Sequence, residues 1–276
     1  SFETRPFDEY LKIALEIYHK EMEMATIFED EFILKQLKDK INELIYSSKV
    51  NGIFHHGLRE LLEDNEIDNI WECSKLARLT NLFPDFIQEM SLLFEAEAAA
   101  CFALNKSTEQ KHKDDPISKI MKLYRNLSMF CEKACGPESK KSIKLSFERG
   151  FNSQNELTAK LLAISIHRFF SKKQKGEFNE YETIDEYVDL FKMLGLNDVF
   201  ETYYTQFLAR RLLVMKNQMF KPESYFIDQL TRQCGAEYTR RMQDLLDDRS
   251  KSQEITSSFI TECKKDGNSQ INFDVF

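Results

Sequence analysis

The chain has 276 residues and a formal net charge of −8, with 42% hydrophobic and 30% charged residues. The acidic balance argues against a nucleic-acid partner, because binding phosphates requires clustered lysine and arginine. No apolar run reaches the roughly 18 residues of a membrane span. The opening SFETRPFDEY lacks the basic end and apolar core of a signal peptide. We therefore expect neither nucleic acid nor membrane as a partner.

Helix-breaking residues divide the first part of the chain into predicted helices. With only 8 glycines and 5 prolines, long helices with short connections are expected. Apolar stripes predict helices over residues 4–24, 27–47 and 68–79. Between the last two, a further helix is expected to end near residue 62. Another begins at Pro84 and runs through AEAAACFAL. The polar segment STEQKHKDD predicts an exposed loop. Further helices are expected over 116–135, 138–151 and 153–170, the first two separated by Gly136-Pro137.

The segment SKKQKGEFNE, residues 171–180, is the best linker candidate because it is polar and separates two strongly periodic blocks. The second block predicts a helix closed by Gly195, a helix that begins at Asn197 and contains FLARRLL, and a helix from Pro222 to near Gly235. Two more are expected over 237–247 and 252–264. The predicted core positions of the FLARRLL helix are Phe200, Tyr203, Phe207, Leu208 and Leu212.

In the last residues, INFDVF, the hydrophobic pattern changes from a helical period to an alternation of apolar and polar residues. Ile271, Phe273 and Val275 alternate with polar residues, which predicts the first strand of a sheet. The predicted fold class up to about residue 265 is all-α, with roughly thirteen helices in stacked bundles.

Two arginines, Arg210 and Arg211, interrupt the apolar run of FLARRLL. Long cationic side chains at the edge of an apolar stripe lay their stems on the core and keep their charged ends in water, where this pair is expected to meet nearby carboxylates. That interpretation predicts a mild effect of Arg211→Ala. The alternative is that the pair forms half of a docking site for an acidic partner.

The chain shows no motif that would make it an enzyme. It contains no phosphate-binding loop and no HExxH sequence. His55 and His56 are adjacent and would diverge on a helix, and Cys131 and Cys135 have helical spacing but no nearby histidine. The six scattered cysteines predict free thiols in a reducing compartment, hence the cytoplasm or nucleus. No catalytic residue, cofactor or metal site is predicted, and a binding or scaffold protein is favoured.

The order of several segments resembles the cullin family. DVFETYYTQFLARRLL is similar to the family's "DVFxxxYxxxLAxRLL", and IDQLTRQCGAEYTRRMQDLLDD to its "LKxxCGxxFTxxLexMfxD". Upstream, RPFDEYLKIALEIYHKE resembles "xPFLexTxxFYxxES", and ELTAKLLAISIHRFF resembles "ElLAxYxDxLLk". The similarity covers essentially the whole chain. It departs from the family pattern at Lys20-Glu21 and at His55-His56-Gly57.

The resemblance implies a domain order. Residues 1–50 correspond to the end of one cullin repeat, 51–172 to a five-helix repeat, 180–265 to a four-helix bundle, and 270–276 to the start of an α/β domain. Stacked repeats form a solenoid-like rod in which each unit contacts its neighbours.

The resemblance also implies a function, that of a non-catalytic rigid scaffold in a cullin-RING ubiquitin ligase. Such a scaffold separates a substrate receptor or adaptor from a RING-box protein and its ubiquitin-conjugating enzyme. The strand residues Ile271, Phe273 and Val275 would lie near the RING-box protein, which would bind mostly through regions beyond them. The receptor would bind through an earlier repeat. The alternative is a helical rod of a membrane-tethering or other multisubunit complex, and an enzyme is a third interpretation.

Overall fold

A computed structural model describes residues 13, 16–21, 23–24, 31–45, 57–62, 66–79, 83–103, 115–171, 180–214 and 221–265. Within these ranges all regular structure is helical and no strand occurs, which confirms the all-α prediction. The expected strand of Ile271, Phe273 and Val275 lies outside the described residues, as does the His55-His56 pair.

Ten helices have both ends within the described ranges. They are α1 (Glu31–Ile45), α2 (Ile67–Leu79), α3 (Phe83–Ala103), α4 (Pro116–Ala134), α5 (Pro137–Phe151), α6 (Asn155–Ser171), α7 (Glu180–Lys192), α8 (Asn197–Val214), α9 (Lys221–Cys234) and α10 (Ala236–Lys265). Residues 16–21 and 57–62 are also helical. Several helices begin where the sequence predicts. The N–H of Ile117 donates to the Asp115 carboxylate at 3.4 Å at the start of α4, and α5 has its proline in the first turn.

The chain divides into two compact units. One comprises Ser1–Glu109 with Ser118–Ser153, and the other Gln110–Ile117 with Gln154–Phe276. Helix α6 therefore belongs to the second compact unit, although the sequence assigns it to the repeat of residues 51–172. The repeat boundaries remain a prediction, since they describe homology rather than packing.

In the first unit, α3 and α5 pack at very short range. A Cβ on Gly150 of α5 would lie 2.9 Å from the Cβ of Ala98 and would clash with the backbone oxygen of Glu95. Phe102 and Phe151, with ring centroids 6.0 Å apart, continue this contact. Ala98, one of the small residues of AEAAACFA, thus allows close packing between these two helices.

In the second unit, α8 packs against α6 and α10, and α9 packs against α7 and α10. Aromatic rings fill the space between these helices. Ring centroids are 5.0 Å apart for Phe191 and Phe200, 5.5 Å for Phe200 and Tyr204, and 5.3 Å for Tyr204 and Phe226. Gly235 joins α9 to α10 with a φ of 87°, a left-handed conformation that glycine adopts without strain.

The two helices expected over 237–247 and 252–264 are one helix, and that prediction was wrong. Helix α10 runs unbroken for 30 residues. The segment DRSK, residues 248–251, lies between the two predicted helices and contains neither glycine nor proline. The Ser250 hydroxyl donates to the carbonyl oxygen of Leu246 at 3.1 Å, and the Thr256 hydroxyl to that of Ser252 at 2.8 Å. These side chains bond back along the helix and do not end it.

Across the described part of the chain, no helix combines the length and apolarity needed to cross a membrane.

Candidate functional site

The residues that the sequence assigns to the bundle core lie on α8, with different degrees of burial. Phe200, Leu208 and Leu212 are buried, whereas Tyr203 and Phe207 are half-buried. Tyr203 lies under the ammonium group of Lys160, 5.6 Å from its ring centroid, beside an open cleft of about 390 Å³. The fully buried tyrosine of α8 is its neighbour Tyr204.

The two arginines of FLARRLL have different environments. Arg210 is exposed, as expected for an edge position, but Arg211 is only 1% exposed and is among the largest fully buried side chains. The prediction of an edge position with the charged end in water is therefore wrong for Arg211, although Arg211 does meet a carboxylate, as that interpretation also expected. The helical period explains this difference, because Tyr204, Leu208 and Arg211 follow one another at intervals of four and three residues and share the buried face.

Helix α9 supplies the charge that matches Arg211. The Glu223 side chain is buried, and its carboxylate accepts hydrogen bonds from Nε of Arg211 at 3.0 Å and from Nη2 of the same guanidinium. The Tyr204 hydroxyl donates to the same carboxylate oxygen at 3.2 Å. Burial and the Glu223 charge raise the pKa of Tyr204 well above its ordinary value, so this hydroxyl remains a donor.

Helix α6 closes the cluster from the other side with His167. Nη1 of Arg211 lies 2.9 Å from Nδ1 of His167. Because a guanidinium can only donate, Nδ1 must be the acceptor, and the neutral imidazole carries its proton on Nε2. Burial lowers the pKa of His167, and the charges of Arg211, Arg210 and Arg168 lower it further. Phe207 stacks on the imidazole with ring centroids 4.7 Å apart.

Aromatic faces complete the surroundings of the guanidinium. Its central carbon lies 5.5 Å from the ring centroid of Phe170 and 5.4 Å from that of Tyr204. We call the side chains of His167, Tyr204, Arg211 and Glu223 the α6–α8–α9 cluster. Three helices are joined through one buried cation whose charge and donors are matched by the surrounding groups.

The burial of this cluster indicates a structural role. Arg211, Tyr204 and Glu223 are buried, so no substrate reaches their polar atoms. Nor do the described residues contain a group of three or more His, Cys, Asp or Glu side chains that could hold a metal ion. The cluster joins α6, α8 and α9 through hydrogen bonds between their buried or half-buried side chains.

Two signals in the sequence could have identified the cluster. The core stripe Phe200, Tyr204, Leu208 contains Arg211 when it is extended by one helical turn. Glu223 likewise lies three and four residues before Phe226 and Ile227, on the buried face of α9. A cation and an anion on two buried faces predict a pair. No local pattern assigns His167 to the cluster, because that contact joins residues 44 positions apart.

Comparison with known proteins relates the whole helical assembly to one family. The family model described as the cullin alpha solenoid domain matches residues 2–256. The chain belongs to the cullin family. The match spans all ten helices except the end of α10, and the cullin-like motif DVFETYYTQFLARRLL includes Tyr204 and Arg211 of the cluster.

Curated cullins match most of the chain at low identity. Cullin-4 of Schizosaccharomyces pombe is 24% identical over 264 residues, covering 92% of this chain and 35% of that protein. Human Cullin-4A is 23% identical over 264 residues, covering 93% and 34%. Cullin-3 of Dictyostelium discoideum is 24% identical over 265 residues, covering 92% and 34%. The chain thus spans about a third of the length of the curated relatives it matches.

Proposed function

We propose that this cullin chain is a non-catalytic, rigid section of a ubiquitin-ligase scaffold. The observation that carries the proposal is the match of the cullin alpha solenoid model over residues 2–256. A scaffold acts by position, since holding two reacting groups near each other raises their effective concentration. Its requirement is stiffness in the connecting protein and not a reactive side chain.

The packing within each compact unit supports this role. In the first unit the backbone of α3 approaches Gly150 so closely that a methyl group has no room. In the second unit the α6–α8–α9 cluster ties three helices through one buried ion pair. Both features resist sliding between helices, because a well-packed interior has few alternative arrangements.

The partners follow from the family and form part of the proposal. A substrate receptor or adaptor would bind toward one end of the full-length protein. A RING-box protein with its ubiquitin-conjugating enzyme would bind toward the other, near the predicted strand of Ile271, Phe273 and Val275. The proposed location is the cytoplasm, the nucleus or both. We propose no cofactor, because positioning requires none.

The test is affinity capture of the full-length protein from its own cells, with quantification of the co-purifying chains. We expect a RING-box protein at about one copy per cullin and at least one receptor or adaptor. Reconstitution with a ubiquitin-conjugating enzyme should then give ubiquitin transfer that depends on the cullin. Capture of coiled-coil or membrane-traffic proteins without a RING-box protein would contradict the ligase proposal and favour the tethering rod.

A further inference from the structure

Two tyrosines meet at the solvent-facing edge of the contact between α7 and α9. Tyr181 of α7 and Tyr225 of α9 have ring centroids 5.1 Å apart, and the ring planes are at 87° to each other. Tyr181 is 48% exposed and Tyr225 is half-buried. Because the planes are perpendicular, the faces of the two rings form a corner, and the exposure of Tyr181 leaves that corner accessible from solvent.

Asp185 of α7 holds the two rings in this arrangement. It follows Tyr181 by four residues, so both side chains lie on the same face of the helix. Its Oδ1 accepts a hydrogen bond from the Tyr225 hydroxyl at 2.9 Å. This bond raises the pKa of Tyr225, so the hydroxyl stays protonated and continues to donate. We call the side chains of Tyr181, Asp185 and Tyr225 the aromatic corner.

The charges around the aromatic corner are mainly negative. Glu182 is adjacent to Tyr181 on α7, and Asp228 lies one turn after Tyr225 on α9, and both carboxylates are exposed. Within the described ranges no ion pair neutralises either of them or Asp185. Arg232, two turns after Tyr225, opposes them with one positive charge. Three carboxylates and one guanidinium therefore leave a negative potential over this part of the surface.

Other half-buried rings of the chain carry cations that the chain itself supplies. Nζ of Lys75 lies 3.4 Å from the ring centroid of Trp71, and Nζ of Lys160 lies 5.6 Å from that of Tyr203. Among the residues that the structure describes, none places a lysine or arginine over either ring of the aromatic corner. The corner thus combines ring faces, a carboxylate and negative potential, which together attract a cation from another molecule.

We propose that the aromatic corner binds an arginine side chain in a basic segment of a partner protein. The planar guanidinium stacks on a ring face while its N–H groups donate to the Asp185 carboxylate, a combination that the compact ammonium of lysine does not match. Glu182 and Asp228 attract the other positive charges of the same segment. The hydrogen bond of Tyr225 to Asp185 orders the corner before binding, which lowers the entropic cost of binding.

The test is fluorescence anisotropy of a fluorescein-labelled peptide of glycine, serine and arginine, titrated with the full-length protein. Two matched peptides carry lysine, which keeps the charge, or citrulline, which keeps the shape without the charge. We expect the arginine peptide to bind about fivefold more tightly than the lysine peptide, and the citrulline peptide not to bind. Equal affinities for the arginine and lysine peptides would contradict the proposal, because general attraction to an acidic surface does not distinguish them.

Variants assign the binding to the aromatic corner. Tyr181→Ala removes a ring face, and Asp185→Asn removes the charge while keeping an acceptor for the Tyr225 hydroxyl. Each should lower the affinity for the arginine peptide about fivefold. Asp244→Asn, which removes the same charge from an exposed position on α10, is the matched control and should bind as the parent does. Equal weakening by the two Asp→Asn variants, or unchanged binding by Tyr181→Ala, overturns the proposal.

Photo-crosslinking tests the same site in the parent protein, so the result does not depend on the folding of a variant. A benzoylphenylalanine beside the central arginine of the peptide should attach, on irradiation, to the tryptic peptides 176–192 and 217–232. These two peptides contain Tyr181 and Tyr225. Attachment to other peptides and to neither of these overturns the proposal.

Discussion

Burying a guanidinium in a protein core is costly unless its charge and its donors are matched. At Arg211 the match is complete on two sides, through the Glu223 carboxylate and Nδ1 of His167. The rings of Phe170 and Tyr204 also lie against the guanidinium, with centroids 5.5 Å and 5.4 Å from its central carbon. The environment of Arg211 leads to two predictions.

Removing one member of the buried pair should lower the free energy of unfolding much more than removing both. Arg211→Met leaves a buried carboxylate without its partner and should lower the free energy of unfolding by about 3–5 kcal/mol. The double variant Arg211→Met with Glu223→Met should regain most of that loss. The measurement is urea unfolding followed by circular dichroism. Arg210→Met, at an exposed position on the same helix, is the control and should change stability little. Equal losses in the single and double variants would contradict the pairing.

The lowered pKa of His167 predicts a dependence of stability on pH. Below the ordinary value of about 6.5 the unfolded chain binds a proton that the folded protein resists, so stability should fall as the pH decreases through that value. The measurement is urea unfolding between about pH 7.5 and pH 5.5. His167→Gln keeps an oxygen acceptor for Arg211 but does not titrate. The free energy of unfolding of this variant should therefore decrease less than that of the parent as the pH is lowered. Identical pH profiles for both proteins would show that His167 does not contribute.

At the scale of the helices, the buried face of α8 forms part of the core of the second unit. Leu208 is fully buried on that face, whereas Leu213, five residues later on the same helix, is 58% exposed. Leu208→Asp should unfold the unit, because an unpaired carboxylate in the core costs several kcal/mol. Leu213→Asp is the matched control and should leave the melting temperature nearly unchanged. Similar melting temperatures for Leu208→Asp and the parent would refute the packing of α8.

The contact between α3 and α5 depends on the absence of a side chain at Gly150. Gly150→Ala places a methyl group against the Glu95 backbone and should lower the free energy of unfolding by about 2–3 kcal/mol. Gly136→Ala is the control, because its φ is −74° and no heavy atom lies within 4 Å of the added Cβ. The comparison of their denaturation midpoints is the measurement, and a neutral Gly150→Ala would contradict the close approach of the helices.

At the scale of the whole molecule, the proposed scaffold role predicts sensitivity to flexibility between the compact units. A glycine-serine segment inserted in the turn at residues 152–154, where the units divide, should lower ubiquitin transfer to a receptor-bound substrate about tenfold. Affinities for the RING-box protein and the receptor should not change. The same insertion at Gly235, within the second unit, is the control. Unchanged transfer with both insertions would show that rigidity at the unit boundary is not required.

The sequence by itself determined the all-α fold class, the positions of most helix ends and the family. Prolines, glycines and apolar stripes act within a few residues of one another, so a pattern such as Gly136-Pro137 locates a break without knowledge of the rest of the fold. The order of the cullin-like segments is likewise a property of the linear chain.

Only the tertiary structure decided which polar residues are buried and with what partners. The contact of Arg211 with His167 and the missing space at Gly150 depend on groups from separate helices. The burial of a charge depends on whether a distant residue supplies its counter-charge, and that information lies in the packing of the helices and not in any local stretch of sequence.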